Sequence, residues 1–285
     1  MKLVRFGKSG QEKPGMVDGA GVIRDLSAVV DDITGAVLAT DSLKRLAGID
    51  PATLPEVAAG TRLGAPLAGI GKIVAIGLNY SDHAAETGQA PPPEPIVFYK
   101  PLTSLNGPND DVVIPRGATH VDWEVELGVV IGRRASYVPE SSALSHVAGY
   151  VLANDVSERK WQGAPGGQWT KGKSPDTFCP LGPWLVTADE VVDPQALDMW
   201  LDVNGEKRQR GSTGTMIFTV AQLIADVSRY MTLLPGDVMI TGTPPGVALG
   251  MKPPVFLKPG DEMRLGITGL GEQRQRLVAA EGGGA

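Results

Sequence analysis

The chain has 285 residues, of which 42% are hydrophobic and 20% are charged, and its formal net charge is −6. These values are ordinary for a globular protein, and the negative charge argues against a main role in binding nucleic acid phosphates. Cys179 is the only cysteine, so an intrachain disulfide and a cysteine-based zinc site are excluded. No stretch approaches the ~18 consecutive apolar residues of a membrane helix, and the charged start lacks a signal-peptide pattern. We therefore expect a cytoplasmic protein.

The pattern of predicted elements is typical of a mainly β protein with some helix. The 37 glycines and 23 prolines lie mostly between short apolar runs, as in chains with many short strands joined by turns. Residues 1–70 predict a small N-terminal α/β domain that ends in an Ala-, Gly- and Pro-rich linker, and residues 71–285 a larger second domain. In that second domain the patterns predict strands at 72–78, 121–131, 147–154 and 238–240, helices at 81–87 and 220–231, and a frayed end at 281–285.

A file of acidic residues marks the predicted strand 121–131. Because side chains alternate along a strand, Asp122, Glu124 and Glu126 would share one face. The solvent-exposed face of an ordinary amphipathic strand would show the same pattern. However, acidic residues are depleted in strands, and the apolar run that follows looks buried on both faces, where carboxylates need a cation or a proton. We therefore predict that Glu124 and Glu126 bind a hard cation, Mg²⁺ or Mn²⁺.

A third ligand must come from elsewhere in the chain. Asp155 follows the predicted strand 147–154, where side chains emerge from the sheet. Metal binding and capping of a following helix, together with Ser157, are equally good interpretations of Asp155 from its position alone.

His83 and Glu86 are three residues apart in the predicted helix 81–87 and would meet on one helix face. A carboxylate bonded to an imidazole orients the ring and raises its basicity, as a base that deprotonates water requires. For an isolated pair of this kind, a solvated surface contact is the commoner interpretation.

Two further segments offer candidate binding groups. The long Gly- and Pro-rich loop at 163–182 contains Lys171 and Lys173, either of which could stabilise an oxyanion or be an ordinary solvated lysine. Thr243 lies in a loop after the strand 238–240, whose glycines permit close approach of the backbone to a ligand. A tight connection between strands would need the same glycines.

These motifs, taken in chain order, resemble the fumarylacetoacetate hydrolase family over roughly residues 72–278. The resemblance implies the family's β-roll fold, usually as a homodimer, and a short lid segment that carries a water-activating pair. It implies the following residues: His83 and Glu86 for that pair, Glu124, Glu126 and Asp155 for Mg²⁺ or Mn²⁺, and Arg159, Gln162, Lys173 and Thr243 for the substrate. The motifs are Gly77-Leu78-Asn79-Tyr80, His83-x-x-Glu86, Glu124-x-Glu126-Leu127, Asn154-Asp155-Val156-Ser157, Lys173-Ser174-x-Asp176, Cys179-Pro180-Leu181-Gly182-Pro183, Thr241-Gly242-Thr243-Pro244 and Pro259-Gly260-Asp261.

One departure narrows the resemblance. The fumarylacetoacetate-cleaving members carry an Asp in the region where this chain has Asn79. The chain looks most similar to hydrolases of 2,4-diketo-3-deoxy-L-rhamnonate or L-fuconate and to sequences labelled ureidoglycolate lyase. This similarity implies a hydrolase of C–C bonds in ketonic substances that cleaves a 2,4-diketo acid to pyruvate and a second acid such as lactate.

The hypothesis for catalysis gives each group a role. The metal would bind the carboxylate and 2-oxo group of the substrate, His83 held by Glu86 would deprotonate water, and Lys173 with Gln162 would stabilise the oxyanion. The alternatives within the family are oxaloacetate decarboxylation, hydroxymuconate isomerisation or decarboxylation, and ureidoglycolate cleavage. A non-catalytic protein that binds oxo acids is the alternative from another class. The only partners expected are the small substrate and a second copy of the chain, with neither nucleic acid nor membrane.

Overall fold

The computed structural model describes residues 1–281, so most of the end that was predicted to fray lies outside the described residues. The described part is mainly β with short helices, as predicted. None of its helices has the length and apolar character needed to cross a membrane. The strands are β1 Lys2–Phe6, β2 Lys13–Val17, β3 Ile23–Asp25, β4 Leu63–Gly64, β5 Ile73–Gly77, β6 Ile96–Lys100, β7 Leu105–Asn106, β8 Val112–Ile114, β9 Val121–Asp122, β10 Val125–Ile131, β11 Val147–Asn154, β12 Ser157–Glu158, β13 Cys179–Pro180, β14 Leu185–Thr187, β15 Asp198–Val203, β16 Glu206–Ser212, β17 Val238–Ile240, β18 Glu262–Ile267 and β19 Gly271–Ala279. The helices are α1 Thr40–Ala47, α2 Ser81–Glu86, α3 Glu140–Ala143, α4 Arg159–Gln162, α5 Thr170–Lys173 and α6 Val220–Tyr230.

Two sheets organise the described residues. The larger sheet has ten strands in the order β3-β2-β1-β14-β11-β10-β17-β5-β6, with β4 paired to β1. The smaller has five strands in the order β16-β15-β18-β19-β8. Strand β10 lies inside the larger sheet, antiparallel to both β11 and β17, and all seven of its residues are buried. The carboxylates near its start therefore point into protein rather than into solvent.

The first 70 residues join the larger sheet. Strand β1 pairs with β14, and Leu3 and Met16 belong to the same apolar cluster as Ile73 and Val151. The proposed division of the chain between residues 70 and 71 thus crosses a continuous sheet and a shared core. That residues 1–70 and 71–285 are separate domains stays a prediction.

The predicted strand at 121–131 is interrupted, so the expectation of one continuous strand was wrong. Trp123 and Glu124 lie between β9 and β10, and side chains replace part of the backbone ladder there. The Glu124 N–H donates to Asn154 Oδ1 at 3.2 Å, and the Val125 N–H donates to Gln209 Oε1 at 2.9 Å. The break ends the regular alternation of faces. Asp122 therefore belongs to a different strand from Glu126 and is not one of the three carboxylates that converge.

Helices α2 and α4, near the site, begin differently. Helix α2 begins after Tyr80 without a side-chain cap. Helix α4 is capped by Glu158, whose carboxylate accepts from the Trp161 N–H at 2.6 Å. The capping interpretation of Asp155 was therefore wrong. Helix α6 matches its prediction closely, and a reciprocal capping box between Thr219 and Gln222 fixes its start.

Candidate metal centre and active site

Three carboxylates converge where β10 and β11 pair. Glu124, Glu126 and Asp155 each offer an oxygen within 4.8 Å of the others, and all three residues are buried. The antiparallel register sets Val125 opposite Asn154, which places the two glutamates around the end of β11. The structure therefore brings together the three residues predicted as metal ligands.

Three buried cations surround this cluster. Lys173 Nζ lies 2.7 Å from Glu124 Oε2 and 2.6 Å from Asp155 Oδ2, and Arg159 Nη1 lies 2.6 Å from Glu124 Oε1. Lys100 Nζ lies 2.6 Å from Asp155 Oδ1 and donates to the Lys173 carbonyl at 2.7 Å. Of the two loop lysines, Lys173 is buried and Lys171 is exposed.

Lys100 is the participant that the sequence analysis missed. It is the last residue of β6, directly before Pro101, and its side chain is fully buried. A lone lysine at a strand end usually extends into solvent, so the residue type gave no signal. The only hint was its position after the apolar run Ile96–Tyr99.

The two glutamates have opposite electrostatic environments. Burial would raise the pKa of Glu124, but Lys173 and Arg159 outweigh it and lower the pKa to about 2. Burial raises the pKa of Glu126 well above its usual range, and the neighbouring Asp155 and Glu124 charges add to the effect. The Gly242 N–H, which donates to Glu126 Oε2 at 2.8 Å, offsets this only in part. Glu126 thus needs a proton or a further positive charge.

The charges and ligand types fit a hard divalent cation. Among the described residues, four buried carboxylates meet three buried cations here: Asp122, Glu124, Glu126 and Asp155 against Lys100, Arg159 and Lys173. The cluster therefore carries one uncompensated negative charge when all four acids are ionised. Carboxylate oxygens are the ligands that Mg²⁺ and Mn²⁺ prefer, and the spread of 4.8 Å or less is close to the roughly 4 Å between opposite ligands of Mg²⁺.

The predicted His83–Glu86 pair forms at the edge of the same site. His83 Nδ1 lies 3.1 Å from Glu86 Oε2; His83 is only 9% exposed while the Glu86 side chain is 25% exposed, so the imidazole of the pair is buried and its carboxylate reaches solvent. The Gly246 N–H also donates to the Glu86 carboxylate, at 3.0 and 3.1 Å to its two oxygens. Glu86 therefore connects α2 to the loop that follows β17.

A cavity of about 210 Å³ joins His83 to Glu124 and Glu126. These three residues, Arg159 and Lys173 form what we call its polar floor. Its walls are mostly apolar, with Thr87, Gln89, Gln162 and Thr243 as polar groups, and the apolar side chains are those of Ile76, Leu78, Phe98, Trp169, Val247 and Leu249.

Trp169 forms one wall by lying over the backbone of β5. A Cβ at Gly77 would be 2.1 Å from the Trp169 ring, so only glycine allows this approach. The edge of Trp169 meets Phe98 with ring centroids 5.6 Å apart.

The residues predicted to contact the substrate line the cavity, but they differ in how many of their hydrogen-bonding groups the protein already uses. Arg159 Nε is held by Asp122 at 2.7 Å, whereas its Nη2 is buried without a hydrogen-bond partner within residues 1–281. Gln162 accepts from Arg159 Nη1 through Oε1 at 3.0 Å, which leaves its amide N–H groups to donate. Thr243 already donates to the Val125 carbonyl at 2.9 Å and accepts from Gln209 at 2.8 Å, so its hydroxyl is largely engaged by protein.

The fumarylacetoacetate (FAA) hydrolase C-terminal family matches residues 72–278, which include the cluster, the cations and the pair. The chain belongs to the fumarylacetoacetate hydrolase family. It is 61% identical over 282 residues to a Burkholderia cenocepacia (strain HI2424) protein named "Putative hydrolase", a match that covers 99% of this chain and 100% of that one.

Solved structures of this family include enzymes of two reaction types. A maleylpyruvate hydrolase from Sphingobium sp. SYK-6, in complex with manganese(II) and pyruvate, is similar with a TM-score of 0.82, 31% identity, and coverage of 99% of this chain and 100% of that one. A 5-carboxymethyl-2-hydroxymuconate delta-isomerase from Mycobacterium smegmatis is similar with a TM-score of 0.76, 33% identity, and coverage of 98% and 99%. Structural neighbours of this chain are therefore hydrolases and isomerases of keto acids and related compounds.

Proposed function

We propose that this protein is a metal-dependent hydrolase that cleaves the C–C bond of a 2,4-diketo acid to pyruvate and a second acid. One observation carries the proposal: Glu124 and Glu126 of the buried carboxylate cluster, Lys173, and the His83 ring that Glu86 contacts line a single cavity. A hydrolase needs a base for water in addition to a site for the oxo acid, and both are present here.

Glu124, Glu126 and Asp155 would hold Mg²⁺ or Mn²⁺, and the bound ion would supply Lewis-acid activation of the 2-oxo acid end of the substrate. The manganese and pyruvate in the maleylpyruvate hydrolase support this choice of ion and product. Arg159 Nη2 is available for the substrate carboxylate, because the other guanidinium nitrogens are bound to Asp122, Glu124 and Gln162.

His83 is the base for water. Glu86 engages its Nδ1 and leaves Nε2 to take the proton, and the fixed carboxylate stabilises the imidazolium that forms. The hydroxide then attacks the C4 carbonyl of the substrate. Because the Gly246 N–H also holds Glu86, the pair keeps its orientation while the proton moves.

Lys173 and Gln162 stabilise the oxyanion at C4. Lys173 uses two N–H groups on Glu124 and Asp155 and has a third for the substrate, and Gln162 has free amide N–H groups. The C3–C4 bond breaks as the oxyanion collapses to the second acid, and its electron pair leaves as the enolate of pyruvate. The imidazolium of His83 returns the proton to C3.

The finer substrate assignment is 2,4-diketo-3-deoxy-L-rhamnonate or L-fuconate, which would give pyruvate and lactate. It rests on the sequence resemblance of the chain to that branch of the family. We also propose a homodimer on the same ground; a single 30-kDa species in light scattering would contradict it.

The test measures pyruvate release from 2,4-diketo-3-deoxy-L-rhamnonate with Mg²⁺ or Mn²⁺ and after EDTA, with a readout that is insensitive to added lactate. We expect metal-dependent release with one equivalent of a second acid. His83→Ala should abolish turnover and leave Mn²⁺ binding largely unchanged, because within residues 1–281 the His83 ring is hydrogen-bonded to Glu86 and to none of the three carboxylates. Loss of metal from that variant would refute the role of His83 as base.

A second candidate function is isomerisation, favoured by the similarity to the hydroxymuconate isomerase. Isomerisation moves a proton within the substrate and incorporates no water. Reaction in ¹⁸O-labelled water distinguishes the two: hydrolysis releases a second acid with labelled oxygen in its new carboxylate, whereas isomerisation releases no second acid.

A further inference from the structure

The lining of the cavity has two kinds of side chain. Its floor holds all the charged groups that line it, with the centroid of the Phe98 ring 5.3 Å from Lys173 Nζ, and its walls are formed by apolar or uncharged side chains that include Trp169 and Leu249. A substrate whose oxo acid end binds at the carboxylate cluster must place its other end against these walls.

The cations of the floor are already committed. Arg159 pairs with Asp122 and Glu124, and Lys173 with Glu124 and Asp155. With a divalent ion, the four carboxylates and three cations counted above would sum to a single positive charge. One carboxylate of the substrate balances that charge, and the His83–Glu86 pair adds no net positive charge to bind another.

The walls offer nothing to a second carboxylate. Within residues 1–281, the side chains that line the cavity outside the floor are apolar or uncharged, and the polar ones are Thr87, Gln89, Gln162 and Thr243. An anionic group there would lose water without gaining a cation, which is costly. A short apolar or hydroxylated group would not incur this cost.

We propose that the site selects 2-oxo acids with one carboxylate and an uncharged far end, and that the uncharged walls at Trp169 and Leu249 determine this preference. The inference rests on the proposed function and narrows it: the substrate is a monocarboxylic diketo acid, and diacids such as maleylpyruvate are excluded. The chain therefore differs in specificity from the maleylpyruvate hydrolase that it resembles.

The first experiment uses a matched pair of ligands that the proposed reaction cannot cleave, because neither has a 4-oxo group. Calorimetry of the Mn²⁺-loaded protein compares 2-oxohexanoate with 2-oxoadipate, which has the same number of carbons and a terminal carboxylate. We expect 2-oxohexanoate to bind at least about tenfold more tightly, since only its far end needs no counter-charge. Equal binding, tighter binding of 2-oxoadipate, or no binding of either ligand would overturn the inference.

A substitution in the cavity wall tests whether the missing cation causes the preference for 2-oxohexanoate. Leu249 is 50% exposed and lies in a short 3₁₀ turn, so a long polar side chain fits there without repacking the core. Leu249→Arg should reduce or reverse the preference by binding the terminal carboxylate of 2-oxoadipate, and Leu249→Gln, similar in polarity but uncharged, should not. If Leu249→Gln shifts the preference as much as Leu249→Arg, the missing cation does not set the specificity.

Turnover separates this inference from the proposed function. Cleavage of maleylpyruvate in preference to 2,4-dioxopentanoate would overturn the inference while the hydrolase function stood. If 2-oxohexanoate binds preferentially but no 2,4-diketo acid is cleaved, the inference about specificity would stand and the proposed hydrolase function would be overturned.

Discussion

At the scale of single residues, Lys100 makes buried polar contacts that its position in the sequence does not suggest. Its ammonium pairs with Asp155, one of the three candidate ligands, and donates to the backbone carbonyl of Lys173. A single buried charge therefore holds both a candidate metal ligand and the backbone of Lys173, the proposed oxyanion-binding lysine. Removal of one partner from a buried ion pair leaves the other uncompensated, which is strongly destabilising.

We predict that Lys100→Met lowers the free energy of unfolding of the EDTA-treated protein by about 3–5 kcal/mol. The loss should be smaller with Mn²⁺, since the ion supplies positive charge to Asp155. Urea unfolding with and without Mn²⁺ measures both values, and Lys100→Arg, which keeps the charge, is the control. An equal loss in both conditions would show that Lys100 acts through packing alone.

At the scale of elements, Glu86 joins α2 to the loop after β17. Glu86 at the end of α2 accepts from the backbone of Gly246, and Gly246 has φ +104 with no space for a Cβ beside the Arg208 carbonyl. The Gly246 carbonyl in turn accepts from Trp123 Nε1 at 3.1 Å. The position of His83, the proposed base, is thus set by the β9–β10 junction as well as by its own helix.

We predict that Glu86→Gln lowers kcat by roughly 10²-fold or more with little change in KM, because the amide keeps the shape but cannot stabilise the imidazolium. Mn²⁺ affinity should be unchanged. Glu86→Ala should in addition increase amide hydrogen exchange across residues 81–88, since it removes the contact with Gly246. Glu86→Gln with wild-type kcat would show that the carboxylate only positions the helix.

Some features of these elements could be predicted from the sequence and others could not, for physical reasons. Glu124 and Glu126 were predictable because buried carboxylates next to an apolar run require compensation. The interruption at Trp123 and Glu124 was not, because the replacement hydrogen bonds come from Asn154 and Gln209, 30 and 84 residues away. Local pattern likewise could not choose between capping and ligation for Asp155, since the choice depends on Glu158 capping α4.

At the scale of the whole molecule, folding and metal binding should be coupled through the charge of the cluster. Glu126 is buried in the folded protein and solvated in the unfolded chain, so the cost of ionising its carboxyl group beside Asp155 and Glu124 arises only in the folded state. Glu124 differs: with a pKa of about 2, it is ionised in the folded protein at every pH above that value. The pH dependence of the metal-free protein above pH 5 should therefore reflect Glu126 more than Glu124.

The last prediction follows from the sign of that shift. The folded pKa of Glu126 is raised, so its contribution to stability is complete below the unfolded value of 4.5 and is lost as the pH rises through the folded pKa. Across that range the free energy of unfolding of EDTA-treated protein should fall by up to about 1.4 kcal/mol per pH unit. Mn²⁺ replaces the proton, so the rise in Tm on adding Mn²⁺ should be larger at pH 8 than at pH 5. Glu126→Gln, which is neutral at both values, should abolish the slope and most of the Mn²⁺ effect. A rise in Tm that is equal at pH 5 and pH 8 would contradict the coupling, because it would mean that the ion binds without displacing a proton from Glu126.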